Sequence, residues 1–387
     1  MDEVPELTHG MAARQTIEKY HIKFYGGKFF AFEHDRIVNN SDGYHVVDKT
    51  QLKVHIHNSY NEWRINNPGS KDVKTSFINE VVSYMERDGY IAEGTIDTSF
   101  IYVNNGILDT HNTKLVESTP ELFVPIRIPV TFDPNAKCPN IDSFFMDIVS
   151  DKKSDKPYNE VDVLSLEEMF GYLLEPTYFI RKGVILLGNG HNGKTTCFNL
   201  MSEFCGYDNV SRLDLYAFSD RFSIPELHNK LVNIGDDFGK DKLQGQARGL
   251  IKQLTGNVKQ LMARRMRSNP FPFFSRAKMY FGCNELPSVK LSDQAFIERW
   301  VILRLLNEYP DSKTFLQALT TESELSGLLN RALEGLGRLR EQKQFSKSET
   351  QGYRELRTMF ERAHVPDARV VKSAQLLTIP LNFGKKK

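Results

Sequence analysis

Apolar positions change period several times along this chain, and each change marks an element. From Met11 to Tyr20 they follow helical spacing. Ile22–Tyr25 and Lys28–Phe32 flank Gly26-Gly27, the composition of a tight hairpin. Phe77, Val81, Tyr84 and Met85 recur at helical spacing up to Gly89, which predicts a helix closed by that glycine. Phe100–Val103 and Ile107-Leu108 around Asn104-Asn105-Gly106 predict a second hairpin. Residues 1–118 therefore read as a small N-terminal α/β domain. Pro120, Pro125, Pro129, Pro134 and Pro139 follow at near-regular intervals, which forbids a helix and predicts an extended linker over 119–140.

Helical spacing returns over 141–180. Ser165-x-x-Glu168 ahead of Leu166, Met169, Phe170 and Leu173 predicts a capping box, and Pro176 closes the helix. Over 181–310, short apolar runs alternate with helical stretches. Val184–Leu187, Leu231–Ile234, Lys278–Gly282 and Trp300–Leu303 are the strand candidates, and the alternation predicts a mostly parallel α/β sheet. From 311 to 387 the pattern is helical and then polar. Thr321-x-x-Glu324 predicts a capping box before Leu325, Leu328, Leu329, Ala332, Leu333 and Leu336, and the end is a basic tail, Lys385-Lys386-Lys387.

Composition narrows this picture only a little. The 387 residues carry a net charge of +1, so only local charge clustering can speak about partners. Four cysteines, Cys138, Cys197, Cys205 and Cys283, form no C-x-x-C pair, which argues against a zinc site or disulfide framework and for a reducing compartment. No apolar run approaches the roughly 20 residues of a membrane span. The acidic N-terminus lacks the apolar core of a signal peptide. The expectation is a cytoplasmic protein without a membrane partner.

Candidate chemistry begins where the strand Gly183–Leu187 meets Gly188-Asn189-Gly190-His191-Asn192-Gly193-Lys194-Thr195-Thr196. This is G-x-x-x-x-G-K-T. Its glycines let backbone N–H groups curl around a polyphosphate, Lys194 reaches the β- and γ-phosphates, Thr195 holds Mg²⁺, and the following helix adds its N-terminal dipole. The pattern predicts a bound nucleoside triphosphate, ATP, with Mg²⁺. A second motif, Leu231–Gly235 ending in Asp236-Asp237, places an acid for the metal, Asp236, and a base for the attacking water, Asp237. A third strand ends in Cys283-Asn284, where Asn284 can hydrogen-bond the γ-phosphate or that water. Arg299, after Asp293–Glu298, can serve a neighbouring subunit as an arginine finger.

Residues 242–284 carry nine Lys and Arg and no Asp or Glu. A solvated helix face mixes signs, so one-signed charge over such a length points to a polyanion. Arg264-Arg265-Met266-Arg267 lies between two strand-forming segments, the pattern of a hairpin with a basic tip suited to a single-strand phosphate backbone. Lys259 belongs to the same segment.

These motifs, in this order, resemble those of superfamily 3 helicases, in particular the phage-, plasmid- and poxvirus-type primase–helicase branch. The likeness covers roughly residues 95 to 345. It includes V-N-N-G-I-L-D at 103–109, L-V-N-I-G-D-D at 231–237, L-T-G at 254–256, A-R-R at 263–265, C-N-E-L-P at 283–287 and A-F-I-E-R at 295–299. The resemblance implies an AAA+-like P-loop ATPase core with a small N-terminal domain and a helical C-terminal segment. It implies a ring, usually a hexamer, translocating 3′→5′ on single-stranded or forked DNA, with separate primase or replication proteins as partners. It assigns Lys194 and Thr195 to phosphate and Mg²⁺, Asp236 and Asp237 to the acid pair, Asn284 to the sensor and Arg299 to the trans finger. Arg264, Arg265 and Arg267 fall on a pore-facing DNA hairpin.

The chain departs from that pattern in three places. Asp237 stands where many relatives have Glu. The N-terminal region has no D-x-D metal pair, so primase activity is not expected. The segment after the ATPase is short for a winged-helix domain, although residues 331–387 hold 13 Lys and Arg against 6 Asp and Glu. The alternatives to a helicase are a DNA-independent assembly or regulatory ATPase and a non-unwinding DNA-binding remnant.

Overall fold

The computed structural model describes residues 6–33, 43–91, 96–150, 160–220, 222–236, 245–256, 260–266, 269–285, 296, 298–310 and 314–346. At the N-terminus, helices α1 (His9–Tyr20), α2 (Lys49–Ile65) and α3 (Thr75–Asp88) pack on an antiparallel sheet of β1 (Lys23–Tyr25), β2 (Lys28–Glu33) and β3 (Gly43–Val47). The Gly26-Gly27 hairpin and the helix before Gly89 form as the spacing predicts. α2 has a narrower apolar stripe, with Leu52 and Ile56 buried and Tyr60 and Trp63 packed beside them. It is started by a reciprocal capping box between Asp48 and Gln51.

The second hairpin, β4 (Phe100–Val103) and β5 (Gly106–Asp109), turns at Asn104-Asn105 and is joined by β6 (Lys114–Val116). Its apolar face does not belong to the N-terminal helices. Ile101, Val103 and Leu108 pack in the large core with Phe144, Phe145 and Phe170. The proline-punctuated segment is extended and docked. Tyr102 N donates to Ile126 O (2.8 Å), Ile128 N to Tyr102 O (2.9 Å) and Asn104 N to Val130 O (2.9 Å), and Ile128, Val130 and Phe132 are buried. Pro139, counted with that segment in the sequence, opens helix α4 (Pro139–Ile148), where its missing N–H costs nothing.

The centre is a five-stranded parallel sheet. β7 (Gly183–Leu187), β8 (Val210–Ser211), β9 (Val232–Gly235), β12 (Lys278–Cys283) and β13 (Trp300–Arg304) lie in the spatial order β13-β7-β12-β9-β8. Side chains alternate between its faces as strand geometry requires. Val184, Leu186, Val232, Ile234 and Tyr280 join one core with α4, α5 (Glu160–Leu173), α6 (Lys194–Cys205) and a long C-terminal helix. Ile185, Met279, Phe281 and Ile302 join a second core with α7 (Gly245–Leu254). Between α7 and β12, β10 (Leu261–Ala263) and β11 (Phe271–Phe273) form an antiparallel hairpin.

After the sheet come α8 (Phe315–Leu319) and α9 (Glu322–Gln342). α9 crosses α5 at backbone contact. A Cβ on Gly171 would lie 2.4 Å from Ala332 O, and one on Gly335 would lie 2.7 Å from Glu167 O.

Both capping-box expectations need correction. Ser165 sits inside α5, where its hydroxyl bonds back to Val161 O (2.8 Å), and buried Glu168 accepts from Arg338 and Ser346 instead. Thr321 does cap α9 by accepting from Glu324 N (3.4 Å). The Glu324 carboxylate, however, reaches across to Asn140 N (3.2 Å) and Ile141 N (3.1 Å), so it caps α4 rather than its own helix.

Candidate nucleotide site and basic hairpin

β7 runs into the loop Gly188–Gly193, and α6 begins at Lys194. The loop needs left-handed backbone at Gly190 (φ 109°), His191 (φ 48°) and Gly193 (φ 82°). Glycine relieves two of these positions.

The loop is braced from outside. Gly188 N donates to Cys283 O (3.0 Å), and Tyr309 N to His191 O (2.8 Å). Buried Asn192 donates to Asn307 O (2.7 Å). The Asn307 amide in turn donates to Ser150 O (2.9 Å), Ser150 Oγ (2.7 Å) and Asp147 O (3.2 Å). Asn307, Ser150 and Asp147 carry no motif, and only the fold brings them under the loop.

Lys194 Nζ folds back onto Gly188 O (2.5 Å) and Asn192 Oδ1 (3.5 Å), so the ammonium sits in the mouth of the loop. Partial burial pushes its pKa down from the ordinary lysine value. Thr195 is exposed at the first turn of α6, beside Thr196.

The neighbouring strands deliver the next two residues to the same end of the sheet. A Cβ on Gly282 would meet Asp236 O at 3.6 Å and Lys194 Cδ at 3.7 Å, so the end of β12 lies beside both the lysine stem and the end of β9. Exposed Asp236 follows β9 directly, and Asn284 follows β12. Asn284 lines a cleft of about 360 Å³ with Gly188, Asn189 and Asn192, and Glu285, Arg304 and Glu308 complete its wall. Asp237 lies outside the described residues.

These groups fit a magnesium–nucleotide ligand by their chemistry: a glycine-rich turn opening the N-terminus of α6, a hydroxyl, an exposed carboxylate, and a lysine with no carboxylate in hydrogen-bond reach among the described residues. All four cysteines are buried, and none is in a disulfide.

Arg299 lies at the opposite end. Its carbonyl accepts from Gly183 N (2.7 Å) at the start of β7, and its guanidinium is 3.5 Å from Thr255 O. The strand length separates it from the loop of its own chain. Burial and neighbouring Arg181 hold its pKa below the usual value.

The basic hairpin forms with Leu261 opposite Phe273 and Ala263 opposite Phe271. Arg264, Arg265 and Met266 are exposed at its tip, and the Arg265 guanidinium lies 4.9 Å from the Phe271 ring centre. Lys259 and Arg267 lie outside the described residues.

Two family models match the chain. Residues 19–150 match "D5 N terminal like", and residues 186–299 match a family of unknown function, DUF5906. A search of curated proteins finds no match. Among solved structures, the chain is similar to the apo structure of the NrS-1 C-terminal region, with a TM-score of 0.53 and 12% identity over 95% of this chain and 78% of that one. It is also similar to the A form of the apo structure, with a TM-score of 0.52 and 12% identity over 93% and 76%. That likeness is one of fold. No described helix is long and apolar enough to cross a membrane. The first matched segment runs from α1 to just past α4, and the second from β7 to the residue before β13.

Proposed function

We propose that the chain is an ATP-dependent DNA helicase of a phage or other mobile element, working as a ring on single-stranded DNA in the 3′→5′ direction. The observation that carries this reading is the convergence of the Gly188–Thr195 loop, Asp236 and Asn284 at one end of a parallel sheet, with an exposed arginine hairpin between β9 and β12.

The loop N–H groups and Lys194 would hold the β- and γ-phosphates, and Thr195 and Asp236 would hold Mg²⁺. Bound magnesium supplies charge neutralisation on the phosphate oxygens. Asn284 would orient the attacking water, with Asp237 as its base. Arg299 sits too far along the strand to serve its own loop, which supports a role in the site of a neighbouring subunit. Arg264 and Arg265, with Lys259 and Arg267, would grip the phosphate backbone.

The test is steady-state ATP hydrolysis with and without single-stranded DNA, beside Lys194→Ala. Turnover that DNA stimulates and the variant loses supports the motor. Turnover indifferent to DNA replaces it with an assembly ATPase, and no turnover in an assembled ring leaves a DNA-binding remnant.

A further inference from the structure

At the end of the sheet remote from the phosphate loop, a cleft of about 560 Å³ opens between the N-terminal sheet and the core. Four cations from four separate segments line it: Lys28 at the start of β2, Arg127, Lys230 just before β9, and Arg276 just before β12. Asp208 is the one acid among the described lining residues, and its backbone carbonyl accepts from Lys230 Nζ (2.6 Å). A cleft of one sign with low-dielectric walls concentrates its field on an anion.

The walls are fixed. Asn229 donates to Gly26 O (2.9 Å), which clamps the β1–β2 turn onto the core. Asn209 bridges Arg127 O (2.6 Å) and Cys205 O (2.7 Å). Rings stand among the cations. The Arg276 guanidinium is 5.5 Å from the Tyr25 ring centre, and Tyr207 is 58% exposed at the rim.

The residues beside the cleft also pack against the basic hairpin. His228, next to Asn229, packs on Phe271 (5.1 Å) and Phe273 (5.2 Å) at the hairpin base, and Arg276 follows β11 by three residues.

We infer that this cleft is a second contact site for single-stranded nucleic acid, extending the track that begins at the hairpin. Cations spread over four segments, with the exposed Tyr207 ring at the rim, suit a phosphodiester strand. A compact phosphate ligand calls instead for one converging donor set. The inference rests on the reading of a single strand as the ligand of Arg264 and Arg265.

The test uses the full chain, fluorescence anisotropy and a labelled oligothymidylate of about 30 nucleotides, long enough to cover both sites. Lys28→Glu/Lys230→Glu should weaken binding roughly tenfold or more. Lys28→Gln/Lys230→Gln should flatten the slope of log affinity against log salt by about 1.4, at about 0.7 for each phosphate no longer neutralised. A melting curve for each variant checks the fold, and if charge reversal unfolds the chain the glutamine pair decides. Wild-type affinity and salt slope in a folded variant would overturn the second site alone while hairpin binding stands. Absence of strand binding by the wild-type chain would overturn both readings.

Discussion

The two ends of the central sheet treat a lysine in opposite ways. At the C-terminal end, Lys194 stands in an open loop mouth and donates to a single carbonyl and an amide oxygen, contacts an anion can replace. At the N-terminal end, Lys278 is fully buried. It donates to Thr177 O and lies 4.0 Å and 4.3 Å from the ring centres of Tyr172 and Tyr178. Around it Tyr178 donates to Ala277 O (2.7 Å) and accepts from Met279 N (3.0 Å), while Arg340 pairs with Glu175 (3.1 Å). The Lys194 ammonium keeps contacts that a ligand can displace. The Lys278 ammonium uses the same chemistry to hold strands and helices together. A buried lysine is therefore no sign of function until its surroundings are known.

Substitutions at the two ends should separate the two roles. Lys194→Ala is expected to lower ATP turnover by about 10³-fold, roughly 4 kcal/mol in the barrier, with little change in melting temperature. Hydrolysis at the wild-type rate would remove the loop from the chemistry. Arg299→Ala should cost a similar factor of about 10³ in the assembled oligomer while nucleotide binding survives. Mixing it with Lys194→Ala chains should restore some turnover if the two residues serve one shared site. Lys278→Ala should leave nucleotide binding intact and destabilise the fold by about 3 kcal/mol, because a cavity opens among Tyr172, Tyr178 and Thr177. Chemical denaturation reads this directly, and a loss under about 1 kcal/mol would make the aromatic cage unimportant.

The pH dependence is smaller and has a defined sign. Burial pushes the Lys278 pKa down to about 7. The unfolded chain keeps that proton to about pH 10.4, so between about pH 7 and 8.5 the unfolded state binds more protons and stability rises with pH. The gain is at most about 1.4 kcal/mol per pH unit. Above that window the trend turns, because burial raises the thiol pKa values of Cys197 and Cys205, which ionise first in the unfolded chain. Lys278→Met should flatten the rise between pH 7 and 8.5, and a rise that persists in the variant would assign it elsewhere. The smallest expected effect is at the hairpin, which leads into the start of β12. Arg264→Ala/Arg265→Ala should weaken single-strand binding by about tenfold and shallow its salt dependence. An unchanged salt slope would put the strand elsewhere.

The sequence exposed the local part of this architecture well. Gly26-Gly27 and Asn104-Asn105 mark hairpins because a turn needs particular residues at particular positions. The strands β7, β9, β12 and β13 read as apolar runs because both faces of a parallel sheet are covered. β8 escaped because two paired residues leave no period to see. α2 escaped because its stripe is narrow and its start signal, Asp48 with Gln51, stands in a polar stretch. Ser165 and Glu168 misled for a related reason: the spacing of a capping box is also one helical turn, so the same pair fits a helix interior. At the candidate site, the G-x-x-x-x-G-K-T run was legible because its glycines and lysine are consecutive. Asn307, which braces that loop through Asn192, was not, since nothing near it in the chain reports which loop it will meet.

What the sequence determined by itself was every feature written in adjacent residues: the phosphate-type loop, the strand-end acids, the one-signed charge of residues 242–284 and the hairpin turns. Tertiary structure decided which end of the sheet each polar group reached. Parallel strands place Lys194, Asp236 and Asn284 at one edge and Arg299 and Lys278 at the other, and that sorting depends on chain direction within a sheet whose order is β13-β7-β12-β9-β8. It also joined β4 and β5 to the central core and built the cationic cleft from Lys28, Arg127, Lys230 and Arg276. Charges that far apart in sequence share a field only after burial of apolar surface has brought their backbones together.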